Sequence, residues 1–164
     1  MRPSRAPLVV ELRSSIRRDV PGSVRVTRWV REAVGARGHG AEVAVRIVGA
    51  SEGRRLNLLW RNRDYPTNVL SFPAPARTLG GHARRALGDI VVCAPVVRRE
   101  ARQQGKRVDD HWAHLLVHGA LHLLGHDHEN DIDAERMERR ERRVLARFGI
   151  ADPYRISSSV SEPE

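Results

Sequence analysis

The chain has 164 residues, 30% of them charged, a formal net charge of +9 at neutral pH and a single cysteine. That length suits one domain around one core, and a lone cysteine excludes an intrachain disulfide and fits a reducing cytoplasm. No run is apolar for long enough to cross a bilayer, and Met1 to Pro7 lead into too few apolar residues for a secretory signal, so a cytoplasmic protein is expected.

Leu8 to Leu12 reads as a short strand, followed by a polar turn through Asp19 to Gly22, with Ser23 placed to cap the next element. From Val24 to Val34 the apolar residues Val26, Trp29, Val30 and Ala33 recur at helical steps. This predicts an amphipathic helix stopped near Gly35, with Arg25, Arg28 and Arg31 on a solvated face, RNA contact being the alternative. Glu42 to Ile47 alternates polar and apolar, as a strand with one buried face does. Ser51 opens a second helix, with Glu52 in the first turn where the helix dipole favours negative charge and Leu56, Leu59 and Trp60 directed at the core. It ends near Arg61, a polar loop reaches Pro66, and Val69 to Phe72 form a strand stopped by Pro73. Ala74 to Ala86, rich in Pro, Gly and Arg, is expected as an irregular loop. Leu87 to Cys93 is an apolar run suited to the centre of a sheet, with Cys93 a small core residue.

Pro95 opens a helix to about Gln104, stopped by Gly105. Asp109 and Asp110 begin a longer helix from about Val108 to Leu124, whose apolar stripe is Trp112, Leu116, Leu123 and Leu124. Asp131 or Asp133 is expected to cap a last helix to Phe148, with Gly149 as its stop. Met137, Val144, Leu145 and Phe148 give that helix a buried stripe, and Glu135, Glu138 and Glu141 are expected to pair with its arginines along the surface. Residues 155–164, Ser-rich and then acidic, read as a disordered tail behind a domain of residues 1–154. The tally is an α+β fold: a mixed sheet of about four strands packed by about five helices.

Six of the eight histidines fall between His111 and His128. His118 and His122, four residues apart, share one helical face. Gly125 ends the helix and lets His128 return to the same ion, so three imidazoles leave one coordination position open, as in a catalytic zinc site. The spacing also occurs in a class of zinc peptidases, whose general-base glutamate follows the first histidine. Here that position is Gly119. His111 and His114 lie near the same face, but spacing alone makes neither a ligand.

The string from His118 to His128, HGALHLLGHDH, resembles the signature of the YbeY family, bacterial rRNA maturation factors that act as zinc-dependent, single-strand-specific endoribonucleases. His126 departs from it, standing where tyrosine is usual. The segment from Leu56 to Pro73 is similar to a second family string, as is Leu87 to Ile90. The resemblance implies one Zn2+ per chain on His118, His122 and His128, beside a metal-bearing helix as in zinc-dependent hydrolases. It makes Arg61 the functional arginine, the alternatives being a salt bridge to Asp64 or a solvent-exposed helix end. It also implies action on single-stranded rRNA, including processing at the 16S rRNA 3′ end and ribosome quality control, near the ribosome or its small subunit, with neither membrane nor DNA as partner. His114, His126 and Asp127 are candidates for proton transfer or for supporting the ligands. The basic charge agrees with a polyanion partner. However, 28 of the 29 basic residues are arginine, which genome composition can also produce, and 4% aromatic content is low for a surface built chiefly on stacking. Two rivals stay open: a peptidase-like hydrolase with a displaced base, and a non-catalytic ribosome assembly factor whose metal staples the fold.

Overall fold

The computed structural model describes residues 6–75, 84–126 and 129–155. Among these residues four strands, β1 (Val9–Ser14), β2 (Ala41–Val48), β3 (Val69–Pro73) and β4 (Arg85–Cys93), form one mixed sheet in the order β1-β2-β4-β3. β1, β2 and β4 run parallel, and β3 lies on the edge antiparallel to β4. Among the described residues five α-helices pack around it: α1 (Ser23–Val34), α2 (Ala50–Arg61), α3 (Ala94–Gln103), α4 (Val108–Leu123) and α5 (Asp131–Ala146). The α+β class, the strand count and the central place of the Cys93 strand are as the sequence pattern predicts.

The period-two pattern of β2 turns Val43, Val45 and Ile47 to one face, where Ile90 and Val92 of β4 continue the layer. α1 covers it with Val26, Trp29 and Val30, and α4 with Trp112, Leu116 and Leu121. A smaller cluster of Val48, Leu70, Val91 and Cys93 fills the opposite face beneath Val96 of α3 and Leu56 of α2. Gly88 lets β3 and β4 pair where β4 bulges against β2: its φ is +141°, and a Cβ there would stand 2.2 Å from the Phe72 carbonyl oxygen.

The expected stripe of α4 is buried, but so is most of the rest of the helix, including His111, Ala113, Leu115, Val117 and Ala120. A helix enclosed on nearly every side is a central element rather than a surface one. Each fully buried leucine contributes on the order of 1.5–3 kcal/mol, so Leu116 and Leu121, both at 0% exposure, fix the helix against the sheet. Polar groups on it must find partners inside the protein.

Several expectations are corrected. Leu59 and Trp60 are exposed, not core residues. α2 meets the sheet at Gly53, where a Cβ would stand 3.0 Å from Cys93 Sγ, and at buried Asn57, whose Nδ2 donates to the Tyr65 carbonyl at 2.6 Å. The last turn leaves Leu59 and Trp60 outside that contact. Gly22, not Ser23, occupies the cap position of α1, in extended conformation, and Ser23 is its first helical residue. Asn130 rather than Asp131 or Asp133 caps α5, its Oδ1 accepting the Asp133 amide at 2.9 Å; the two aspartates fill the first turn. The α1 arginines are partly tied down, Arg25 to Asp109 at 2.8 Å and Arg31 to the Leu8 carbonyl at 2.9 Å. β4 begins at Arg85, inside the stretch expected as loop, whose residues 76–83 lie outside the described residues, as does the expected tail from 156 onward. Among the described residues no helix is long and apolar enough to cross a membrane.

Candidate metal centre

α4 carries His114, His118 and His122 on one face. The sheet holds it in place through β3, where Ser71 Oγ donates to the Gly119 carbonyl at 3.2 Å. The helix can come this close because residue 119 is glycine. A Cβ there would stand 3.0 Å from Ile90 Cγ2 and 3.1 Å from Ser71 Oγ. The position that bears the glutamate of zinc peptidases therefore faces the sheet, where a side chain would have to displace Ile90 and Ser71.

The Nε2 atoms of His118 and His122 lie 3.1 Å apart. Two nitrogens bound to one zinc-sized ion at about 2.0–2.1 Å and a tetrahedral angle are roughly 3.3 Å apart, so this pair fits a shared ion with little adjustment. The other nitrogen of His118, Nδ1, is 2.5 Å from Glu141 Oε1. Glu141 projects from α5 and has no exposed side-chain surface. Its Oε2 accepts from the Tyr154 hydroxyl and faces His114 Nε2 at 3.0 Å.

Burial alone pushes the Glu141 carboxyl upward, but donors from His114, His118 and Tyr154 together outweigh it and hold the group down at about 2. The same contact acts oppositely on Tyr154, whose hydroxyl is raised by burial and then by the hydrogen bond to Glu141. An ionised carboxylate can only accept, so His118 donates from Nδ1, and in the neutral ring its Nε2 is left with a lone pair. That nitrogen is turned toward His122.

His114 Nε2, His118 and a carboxylate oxygen of Glu141 also lie within 4.8 Å of one another, a second candidate triad among the described residues. The two arrangements share His118 but use opposite sides of its ring. On the Nδ1 side the 2.5 Å contact is of hydrogen-bond length, well under the donor spacing around one ion. The Nε2 side opens on a cleft of about 680 Å³ lined by His118, His122, His126, Arg61, Asn68 and Ser71.

Arg61, at the end of α2, reaches the Ser71 carbonyl with Nη2 at 3.4 Å and lies over the Phe72 ring, 5.9 Å from its centroid. The alternative pairing with Asp64 does not form: Arg54 holds both Asp64 oxygens, at 2.7 and 2.8 Å. Asn68 is held at the start of β3 by Glu100 at 2.9 Å, and Glu100 also contacts His111 Nε2 at 3.3 Å. His114 does not line the cleft; with Tyr154 and Lys106 it borders a separate hollow behind Glu141. His126 does line it, and burial and then the charges of Arg140 and Arg37 lower its imidazole below the ordinary value. Asp127 and the third expected ligand, His128, lie outside the described residues.

Glu141 is the residue that sequence reasoning missed. It was expected on the surface with Glu135 and Glu138, which do pair with Arg139 at 3.2 Å and Arg142 at 3.5 Å. A signal existed: Glu141 stands four residues from both Met137 and Leu145, on the buried stripe of α5.

A family model described as Endoribonuclease YbeY matches residues 19–149. A protein of Alkalilimnicola ehrlichii named Endoribonuclease YbeY is 58% identical over 142 residues, covering 85% of this chain and 86% of its own length. One of the same name from Halorhodospira halophila is 57% identical over 135 residues, covering 82% and 88%. The solution structure of a Thermotoga maritima protein shares the fold, with a TM-score of 0.51 and 23% identity over 90% of this chain and 99% of that one.

Proposed function

The chain belongs to the YbeY endoribonuclease family, and on that premise we propose that it is a zinc-dependent endoribonuclease that cleaves single-stranded RNA. The observation that carries the reading is the pair of His118 and His122 Nε2 atoms, 3.1 Å apart, at a cleft shared with Arg61. In this reading His118, His122 and His128 hold one Zn2+. When bound, the ion supplies a water of lowered pKa or polarises the scissile phosphate.

The remaining roles belong to the protein. Arg61, with no carboxylate partner among the described residues, pairs its planar guanidinium with phosphate oxygens and offsets charge that develops during cleavage. Glu141 fixes the ring orientation and tautomer of His118. His114 and Tyr154 hold Glu141 from the far side, so His114 is a positioning residue rather than a proton carrier at the phosphate. Asp127 remains the candidate for moving a proton. The family resemblance extends the proposal to 16S rRNA 3′-end maturation and quality control on the small ribosomal subunit, in the cytoplasm.

The peptidase rival is disfavoured by Gly119, which supplies no carboxylate and packs closely against β3 and β4. The test is to chelate the protein, reload it with zinc, and offer one RNA sequence as single strand and as duplex beside a mixed peptide library. Cleavage of the single strand alone, lost on chelation and restored by zinc, is expected. Peptide cleavage without RNA cleavage overturns the reading. RNA cleavage that His122→Ala leaves unchanged overturns the metal's part in it. If the zinc-loaded protein binds ribosomes but cleaves nothing, the staple reading takes its place.

A further inference from the structure

Of the three tryptophans, Trp29 and Trp112 are 7% and 1% exposed, whereas Trp60 is 61% exposed. The Trp60 ring meets the Phe72 ring edge-on, 5.8 Å between centroids and 61° between planes. A second partner of Phe72 is Arg61, whose guanidinium lies over the same ring, and Arg61 lines the cleft with His118 and His122. Indole, phenyl ring and guanidinium therefore form one continuous assembly, and Arg61 is the member of it that lines the cleft at the candidate metal centre. Tyr65, 50% exposed, lies on the loop that follows α2, its hydroxyl accepting from Arg63 at 3.2 Å.

A ligand that fits this assembly alternates negative charge with flat apolar faces. A single nucleic-acid strand does so, because its bases are free to leave the stack, whereas a duplex keeps them paired. Resting on the nuclease reading above, we propose that Trp60, backed by Phe72, is the stacking platform for the nucleobase beside the phosphate held at Arg61, and that it sets the preference for unpaired strands. The platform commits only one or two rings to the task, which the low aromatic content allows. Trp60 is a specificity-determining residue here, and the cleavage chemistry does not pass through it.

Trp60 is the one tryptophan a base can reach, so its fluorescence reports the contact directly. The metal-loaded full-length protein is mixed in stopped flow, so that binding precedes cleavage, with a single-stranded oligoribonucleotide, the same oligonucleotide carrying abasic positions, and the corresponding duplex. Quenching by the intact single strand, weak or absent with the other two, is expected. Trp60→Ala raises KM for the single strand about tenfold, within the range for losing one base–aromatic stack, with little change in kcat, and Trp60→Phe recovers most of the loss. The Tm of Trp60→Ala falls by no more than a few degrees, because the mostly exposed side chain loses only its edge contact with Phe72. Absence of quenching, or a Trp60→Ala variant with unchanged KM, overturns the platform and leaves the patch to a protein partner. Wild-type cleavage in the same samples separates this failure from that of the nuclease reading, which fails only if the loaded wild-type protein cleaves no RNA.

Discussion

At one end of α4, His111 meets Glu100 through Nε2 at 3.3 Å; near the other, His118 meets Glu141 through Nδ1 at 2.5 Å. The residue types are the same and both rings belong to one buried helix, yet the two pairs differ in which nitrogen the carboxylate takes. At His118 the engaged Nδ1 leaves Nε2 directed at His122 and the cleft. At His111 the engaged Nε2 leaves Nδ1 buried with no partner among the described residues. Burial holds His111 below the ordinary imidazole value, with Glu100 opposing the shift, so its ring is neutral at physiological pH. The first pair turns a ring nitrogen toward His122 and the cleft; the second ties α4 to α3 and, through the Glu100–Asn68 contact, to the start of β3. A carboxylate beside a histidine therefore has a functional meaning only once the remaining ring nitrogen is located.

Substituting each pair in turn can break this contrast. The largest effect is expected from His122→Ala, which removes the partner of the presented nitrogen. Zinc affinity by competition with a chelator should fall by more than about 100-fold, beyond what losing a supporting residue causes, while His111→Gln leaves it within a few-fold of wild type. Equal losses in the two variants would erase the distinction. Next come the carboxylates. Glu141→Gln should weaken zinc binding roughly 10- to 100-fold, and Glu100→Gln should leave it unchanged while lowering Tm by a few degrees, as losing a buried hydrogen bond worth about 1 kcal/mol does.

The smallest effect concerns pH. The His111 value is lowered in the folded protein, so the unfolded chain binds more protons below the ordinary value of 6.5. The stability this residue contributes is present above 6.5 and is lost as pH falls through it toward the lower folded value. His111→Gln should flatten that limb in a denaturant-midpoint series from pH 8 to 5; an unchanged slope would show that His111 titrates alike in both states.

The sequence made one side of this contrast readable. The four-residue step between His118 and His122 and the glycine after the helix pointed to the cleft face of α4, and alternation in β2 and the apolar run of β4 pointed to the sheet. What stayed hidden depends on partners distant in sequence. Glu141 lies 23 residues from His118, among arginines at helical spacing that made a surface pair the simpler reading. Trp60 fits an apolar stripe by spacing, and only the approach of α2 at Gly53 shows that its last turn passes beyond the core contact. The α5 cap moved by one residue because Asn130 takes the extended conformation a capping side chain needs.

Anomalous diffraction at the zinc edge from crystals of the metal-loaded protein tests the central claim most directly. One strong peak about 2.0–2.1 Å from both His118 Nε2 and His122 Nε2 is the predicted result, with Glu141 still on His118 Nδ1. A peak among His114, His118 Nδ1 and Glu141, with the cleft side of His118 bare, would contradict it.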